Sequence, residues 1–528
     1  MTEAFVLVTF LGAVVVLTVA AKRFKVPYPI VFVIGGIVLA FARHLPHPHV
    51  EPDFILLLII PPLLYGAAWS TDWIEFRRAA FPITLHAVGL VIVTMAAVAV
   101  VVHYTVPAFG WPLAFTLGAI VSPPDAVASE AIFERLAIPR RVAAIVNGEC
   151  LMNDATALVL YRFALAAVIT GTFSLAHAGI AFVVVAVGGT LVGLGSAVLM
   201  EGILRYISRR GYADPLITSV VLLLAPFAAY LPAEALHVSG VLAAVSAGIL
   251  LSRRSSFFLD SESRVLGSSV WRLLIFVLNA FAFLLIGLQL PAILEALEPH
   301  VRDYILYGLL LSATVIIVRI AWIFPSSYLP RIFPSVRASN PFPSWRNVAV
   351  LSWAGMRGIV SLAIALGLPY TLGDNPFPQR SIAIFFTFCV IFVTLILQGL
   401  TLGPLIERLG VTETSRRGKR EAALRIRALE AGIATLEREE LVRRTPLEQE
   451  IVDRVLDEYR RRINVLHGKA DKDEPDAARE SRLDRTIQKS ALAAERRAIA
   501  QMRHEGEIPD EIYRSIEYDL DLATLQLS

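Results

Sequence analysis

The chain has only two cysteines in 528 residues, Cys150 and Cys389, and both lie in apolar runs. This excludes a disulfide framework and leaves no metal-ligand spacing. The formal net charge is only +3, too small to argue for nucleic acid. Charge of either sign is scarce over the first 411 residues, which hold 25 basic and 20 acidic side chains. The start, Met1-Thr2-Glu3-Ala4-Phe5, lacks the basic segment that opens a secretory signal, and is expected to begin a mature first apolar run. No nucleophile–base pair or metal cluster falls in the apolar runs, so no enzyme is expected and no cofactor is implied.

What the chain has in abundance is apolar length. Hydrophobic residues make up 56% of it and charged residues 18%, and the mean hydropathy is +0.64. These values belong to the membrane class. Residues 412–528 differ, with 23 basic and 25 acidic side chains in 117 residues. The sequence thus predicts a transmembrane domain over 1–411 and a charged, helical, soluble domain over 412–528.

Thirteen runs are long enough to cross, or nearly cross, a hydrocarbon core of ~30 Å. They lie near 5–21, 28–43, 52–68, 80–104, 111–135, 143–171, 176–204, 215–231, 237–252, 270–290, 304–326, 347–369 and 379–405. Loops after odd-numbered runs carry the basic residues, such as Lys22/Arg23/Lys25, Arg140/Arg141 and Arg253/Arg254. Loops after even-numbered runs carry only Arg43, Arg302 and Arg380. Basic loops face the cytoplasm, so the N-terminus is expected outside and the tail in the cytoplasm. In the tail, Val452, Leu456, Tyr459, Ile463 and Leu466 repeat at helical spacing, as do Leu429, Ile433 and Leu436. The polar stretch 469–476 reads as a joint. The tail is expected to pack on itself or on a partner subunit, with a regulatory role as the alternative.

Among the charged side chains that fall within the runs, five stand out: Asp125, Glu149, Asp154, Arg319 and Arg357. Each costs ~2.5–3.5 kcal/mol on an insertion scale and so marks function or pairing by default. At ~1.5 Å per residue, Asp154 lies roughly 20 Å into the sixth run, near mid-depth. Asp125, Arg319 and Arg357 reach similar depth on three other runs, as an alternating-access carrier requires. Glu149 needs a cation, which Arg319 or Arg357 could supply, and a structural pair with Arg319 is the bland reading. Arg162 is expected to snorkel outward, and His86 to be an ordinary helix residue.

Two runs are expected to break. In Ser122-Pro123-Pro124-Asp125 two consecutive residues lack a backbone donor. The carbonyls of Ala119 and Ile120 should lose their helical partners beside an acid. Gly355-Met356-Arg357-Gly358 weakens the twelfth run in the same way. These runs are seven apart, the spacing of two inverted six-run repeats around a linker.

Together Ser122-Pro123-Pro124-Asp125-Ala126-Val127-Ala128, Gly148-Glu149-Cys150-Leu151-Met152-Asn153-Asp154-Ala155 and Gly355-Met356-Arg357-Gly358 resemble motifs of the monovalent cation/proton antiporters of the Na+/H+ exchanger family. The likeness is to the bacterial branch of the CPA1 type. Pro61-Pro62-Leu63-Leu64-Tyr65 and Val318-Arg319-Ile320-Ala321-Trp322 add to it.

The resemblance implies an all-α homodimer in the cell membrane with two interrupted crossing helices. Its dimerisation part would span about 5–68 and 176–290, and its ion-transport core about 80–171 and 304–405. The implied activity is exchange of a monovalent cation, Na+ above all, for H+. The partners implied are that cation, the proton, membrane lipid and a second copy. The implied ion- and proton-binding set is Asp154, Asp125, Asn153, Ser122 and Cys150, with the cation at Asp154 and Asp125. Arg357 would balance charge at the crossing, and Glu149–Arg319 would hold two helices together. Asn153 beside the acid implies electroneutral exchange.

Two positions depart from the family. Gly66 stands where an acid is frequent, and Cys150 where serine is common. Sulfur is a poor ligand for Na+, so K+/H+ antiport stays open. From another class, a gated cation channel could use the same charges.

Overall fold

The computed structural model describes residues 2–41, 55–136, 138–171, 175–212, 214–255, 258–295, 297, 301–372, 375–412, 414–438, 446–470 and isolated positions between 488 and 524. It divides into two units, Met1–Thr412 and Glu413–Ser528. Helix dominates the described residues of each.

Among the described residues of the first unit, seven helices have the length and composition to cross a membrane. They are Ala80–Thr105, Arg140–Thr170, Gly179–Arg209, Pro215–Ala235, Glu262–Glu295, Arg302–Ile332 and Gln379–Leu409. Shorter apolar helices occupy Tyr28–Ala40, Leu57–Ser70 and Trp111–Val121. Helices Thr2–Phe24 and Gly240–Arg254 cover the first and ninth apolar runs. The stretch 42–54, holding the end of the second run and the start of the third, lies outside the described residues. A two-residue antiparallel pairing, Thr371 with Pro376 and Leu372 with Asn375, closes the turn before Gln379–Leu409.

Local chemistry sets the helix ends. Asp214 caps its helix by accepting from the N–H groups of Leu216 and Ile217 at 2.8 and 3.2 Å, which satisfies two donors the helix leaves open. Ser239 accepts from Leu242 in the same way at 3.1 Å. At the far end of Arg140–Thr170, Gly171 takes φ +68°, a left-handed conformation that glycine adopts without penalty.

Close approach of the helices rests on small side chains. A Cβ on Gly36 would meet the carbonyl of Leu284, and one on Gly287 the carbonyl of Val33. The Tyr28–Ala40 and Ser261–Leu288 helices therefore touch backbone to backbone, the packing mode available where lipid offers no hydrophobic drive. Ala225, Ala229, Ala233, Ala243 and Ala247 are likewise buried in one cluster. A second, larger core gathers Ile83, Leu117, Val146, Ile323 and Phe386 around the interrupted helices.

In the second unit, helices Thr414–Arg438 and Pro446–Ala470 pair along the apolar stripes. Val452 and Leu456 are buried, and the Tyr459 ring lies against Gly432. Arg460 reaches Glu437 at 3.4 Å. Of the polar joint expected at 469–476, residues 469 and 470 end the second helix, and 471–476 lie outside the described residues.

Candidate functional site

The helix expected over the fifth run stops at Val121 and restarts at Ala126. Pro123 and Pro124 lack the N–H groups that would bond Ala119 and Ile120. The carbonyl of Ala119 is nevertheless satisfied, because the Ser122 hydroxyl donates to it at 2.9 Å. The helical partner is lost, as the sequence led one to expect, and a side-chain hydroxyl replaces it at Ala119. Asp125 then starts the second piece, its Oδ1 accepting from the Val127 N–H at 2.8 Å, an N-cap arrangement.

The twelfth run breaks where its glycines stand, between Trp353 and Ile359. The two breaks are bonded to each other. The Asp125 N–H donates to the Met356 carbonyl at 2.7 Å, and Arg357 Nη1 donates to the Ser122 carbonyl. Arg357 also donates its backbone N–H to Thr394 Oγ1 at 3.1 Å. Arg319 Nη2 donates to the carbonyls of Leu351 and Ala354, each at 3.1 Å. Each first half-helix thus ends on an arginine. Unbonded C-terminal carbonyls carry partial negative charge, so a guanidinium there both bonds them and opposes their dipole. Gly358 lets the second break approach Asp125, since a Cβ at that position would run into the Asp125 carboxylate.

The Arg140–Thr170 helix supplies the remaining groups. Asn153 Nδ2 donates to the Pro124 carbonyl at 3.2 Å, which ties this helix to the first break. Asp154 follows, 7% exposed. One turn earlier Glu149 forms a two-pronged pair with Arg319, at 2.5 and 3.1 Å. Both side chains are 1% exposed. The choice between Arg319 and Arg357 as partner of Glu149 thus falls to Arg319. His86 stands 3.7 Å from Glu149 and 3.2 Å from the Ser326 hydroxyl, so it belongs to this buried network. Arg162, expected to snorkel outward, pairs with Glu234 at 2.8 Å.

Asp125 and Asp154 line one cavity of about 70 Å3, together with Cys150 and Pro124. A water needs roughly 10–15 Å3 of such space, so a small cation and a few waters fit. Carboxylate, amide and hydroxyl oxygens suit a hard cation. Gly66 does not line this cavity. It packs on Ile275 and Trp271, so the position where an acid is frequent in the family is filled by apolar contact here.

The profile of the family described as "Sodium/hydrogen exchanger, transmembrane" matches residues 7–408. The chain belongs to the sodium/hydrogen exchanger family. It is 34% identical to the uncharacterised Na(+)/H(+) exchanger YjcE of Escherichia coli K12, over 98% of both chains. It is 32% identical to a sodium, potassium, lithium and rubidium/H(+) antiporter of Bacillus pumilus, over 77% of this chain and 62% of that one. The solved sodium proton antiporter MjNhaP1 of Methanocaldococcus jannaschii shares the fold, with a TM-score of 0.57 at 18% identity over 78% of this chain and 99% of that one. This exchanger is therefore a multi-pass membrane antiporter of the CPA1 type, as its motifs led one to expect.

Several residues around this cavity and the two breaks were not singled out by sequence, and His86 was expected there only as an ordinary helix residue. Thr394 and His86 enter only through long-range contacts. Asn147, Glu130 and Ser361 line the cavity. Glu130 had a signal, being one more acid inside the fifth apolar run. Asn147 had one too, seven residues before Asp154 on the same helix face.

Gly358→Ala tests the close approach. The added methyl must displace Asp125 or part the two breaks, an overpacking cost of about 1–3 kcal/mol. Exchange is expected to fall by roughly tenfold or more while the purified protein elutes as wild type. Unaltered exchange in proteoliposomes would show that the crossing tolerates separation.

Proposed function

We propose that this exchanger moves Na+ and H+ in opposite directions by alternating access, with both ions competing for Asp154. The observation that carries this reading is the meeting of Asp154 and Asp125 on one cavity at the crossing of two broken helices. An uncompensated carboxylate is costly to carry through a low-dielectric barrier. The core therefore crosses only when Asp154 holds H+ or a cation, and the empty return is suppressed. One H+ for one Na+ follows, an electroneutral cycle. Asp125 shapes the site from the first break, with Ser122, Asn153 and Cys150 around it. Arg357 balances charge at the crossing, and Glu149–Arg319 braces the helices.

In this reading the body has thirteen spans in two inverted six-span repeats. Spans within 5–68 and 176–290 form the dimerisation part, and those within 80–171 and 304–405 the mobile core. The distribution of basic loops supports an outside N-terminus and a cytoplasmic 412–528 domain. The cell membrane is the proposed location and a homodimer the proposed assembly.

K+ is the runner-up cation, favoured by the likeness to the Bacillus pumilus sodium, potassium, lithium and rubidium/H(+) antiporter. The deciding experiment is proton flux in proteoliposomes with a preset pH gradient and clamped potential, adding Na+, Li+, K+ and choline separately. Collapse of the gradient by an alkali cation names the substrate. Competition adds a signed expectation: as pH falls, the half-saturating cation concentration rises while the maximal rate changes less. Currents without obligatory proton coupling would instead favour a channel.

A further inference from the structure

The cavity beside Asp154 holds more oxygen donors than that exchange step uses. Its wall from the Arg140–Thr170 helix is a stripe of Asn147, Cys150, Leu151 and Asp154, the i, i+3, i+4, i+7 pattern of one helix face. From the Ala126–Leu136 helix come Val127 and Glu130, three residues apart and so neighbours on one face. Ser361 closes the cavity from the Ile359–Leu366 helix.

Two of these groups are unsatisfied within the protein. Ser361 is 1% exposed and its hydroxyl has no hydrogen-bond partner, nor has Oδ1 of Asn147. A buried polar atom without a partner is costly to leave so, and a ligand that coordinates it removes the cost. Oxygen from a carboxylate, an amide and a hydroxyl together fits a hard, partly dehydrated monovalent cation. The facing wall, Ile60, Leu64 and Ala67, adds no donor for an anion.

We infer that Glu130, Asn147 and Ser361 form a second cation-binding set on this cavity, which receives the cation before it meets Asp154. The inference rests on the reading of the cavity as the cation site. Asn147 lies two helical turns before Asp154, toward the Arg140 end. Glu130 lies on the half-helix that leads away from the crossing toward Leu136. Basic loops adjoin both ends, so in the proposed topology Asn147 and Glu130 lie on the cytoplasmic side of Asp154, while Ser361, just past the second break, completes the set at the level of the crossing. Passage from one carboxylate to the next keeps the cation paired at each step, and Glu130, as the charged member, sets the affinity.

The test is Na+ titration of proton exchange in proteoliposomes with the full chain. Affinity of oxygen sites follows their ligand charge, so Glu130→Gln is expected to raise the half-saturating Na+ concentration about tenfold, with a smaller effect on the maximal rate. Glu130→Asp keeps the charge and restores most of the affinity. Ser361→Ala and Asn147→Ala shift it in the same direction by roughly threefold each. Stabilisation of the detergent-purified protein by Na+ against thermal unfolding should move in parallel, without requiring transport. Unchanged half-saturation in Glu130→Gln, with Asp154→Asn inactive alongside, overturns this inference and leaves the antiport reading standing. Normal exchange by Asp154→Asn overturns the antiport reading and this inference with it. Where Glu130→Gln does not fold, unchanged half-saturation in both Ser361→Ala and Asn147→Ala overturns the second set.

Discussion

Asp154→Asn is expected to abolish coupled exchange while leaving a folded protein. The amide keeps the shape of the acid, so the packing around a 7% exposed side chain is preserved. It neither takes up the proton nor offers a charge to the cation. Two unit charges ~4 Å apart interact by about 4 kcal/mol at an effective dielectric near 20, roughly a thousandfold in affinity. Cation-driven collapse of a pH gradient should therefore vanish for every alkali cation, with elution and melting temperature near wild type. Exchange at the wild-type rate would remove Asp154 from the mechanism.

Arg319→Met should have the largest effect on stability. It leaves Glu149 charged and 1% exposed, and removes the donors to the Leu351 and Ala354 carbonyls. His86, 3.7 Å away, is the nearby group left to answer the carboxylate. Breaking a buried pair by removing one partner costs about 3–5 kcal/mol. A lower yield and a lower melting temperature are expected, with exchange lost because the second break is no longer braced. Glu149→Gln combined with Arg319→Met should recover part of the stability, since no buried charge is then left alone. A single variant that melts like wild type would show that the pair does not support the fold.

The chain announces its site because charge is costly inside a membrane. Asp125, Glu149, Asp154, Arg319 and Arg357 stand out against apolar runs with no structure in hand. The break at Pro123-Pro124 is equally plain, because two missing N–H groups forbid a continuous helix. Glu130 was overlooked although the same rule covers it, since it sits one turn from the end of its run and passes for a helix terminus. Ser361 and Thr394 gave no warning. A single hydroxyl in a membrane helix bonds its own backbone at little cost, and nothing local separates such a serine from one that lines a cavity.

Depth, periodicity and helix interruption are local properties, set by the order of apolar, charged and imino residues, and the chain alone carried them to a family and to an acid in the middle of an apolar run. Partnership is not local. Glu149 and Arg319 are 170 residues apart, and two arginines at similar depth were equally eligible by sequence. Packing decided between them: Gly355 leaves room for the Arg319 side chain, while Arg357 is drawn to the Ser122 carbonyl at the first break. The same packing turned Gly66 toward Ile275 and brought Glu130, Asn147 and Ser361 to one cavity, because which faces of separate helices meet depends on their crossing, and no single helix encodes that.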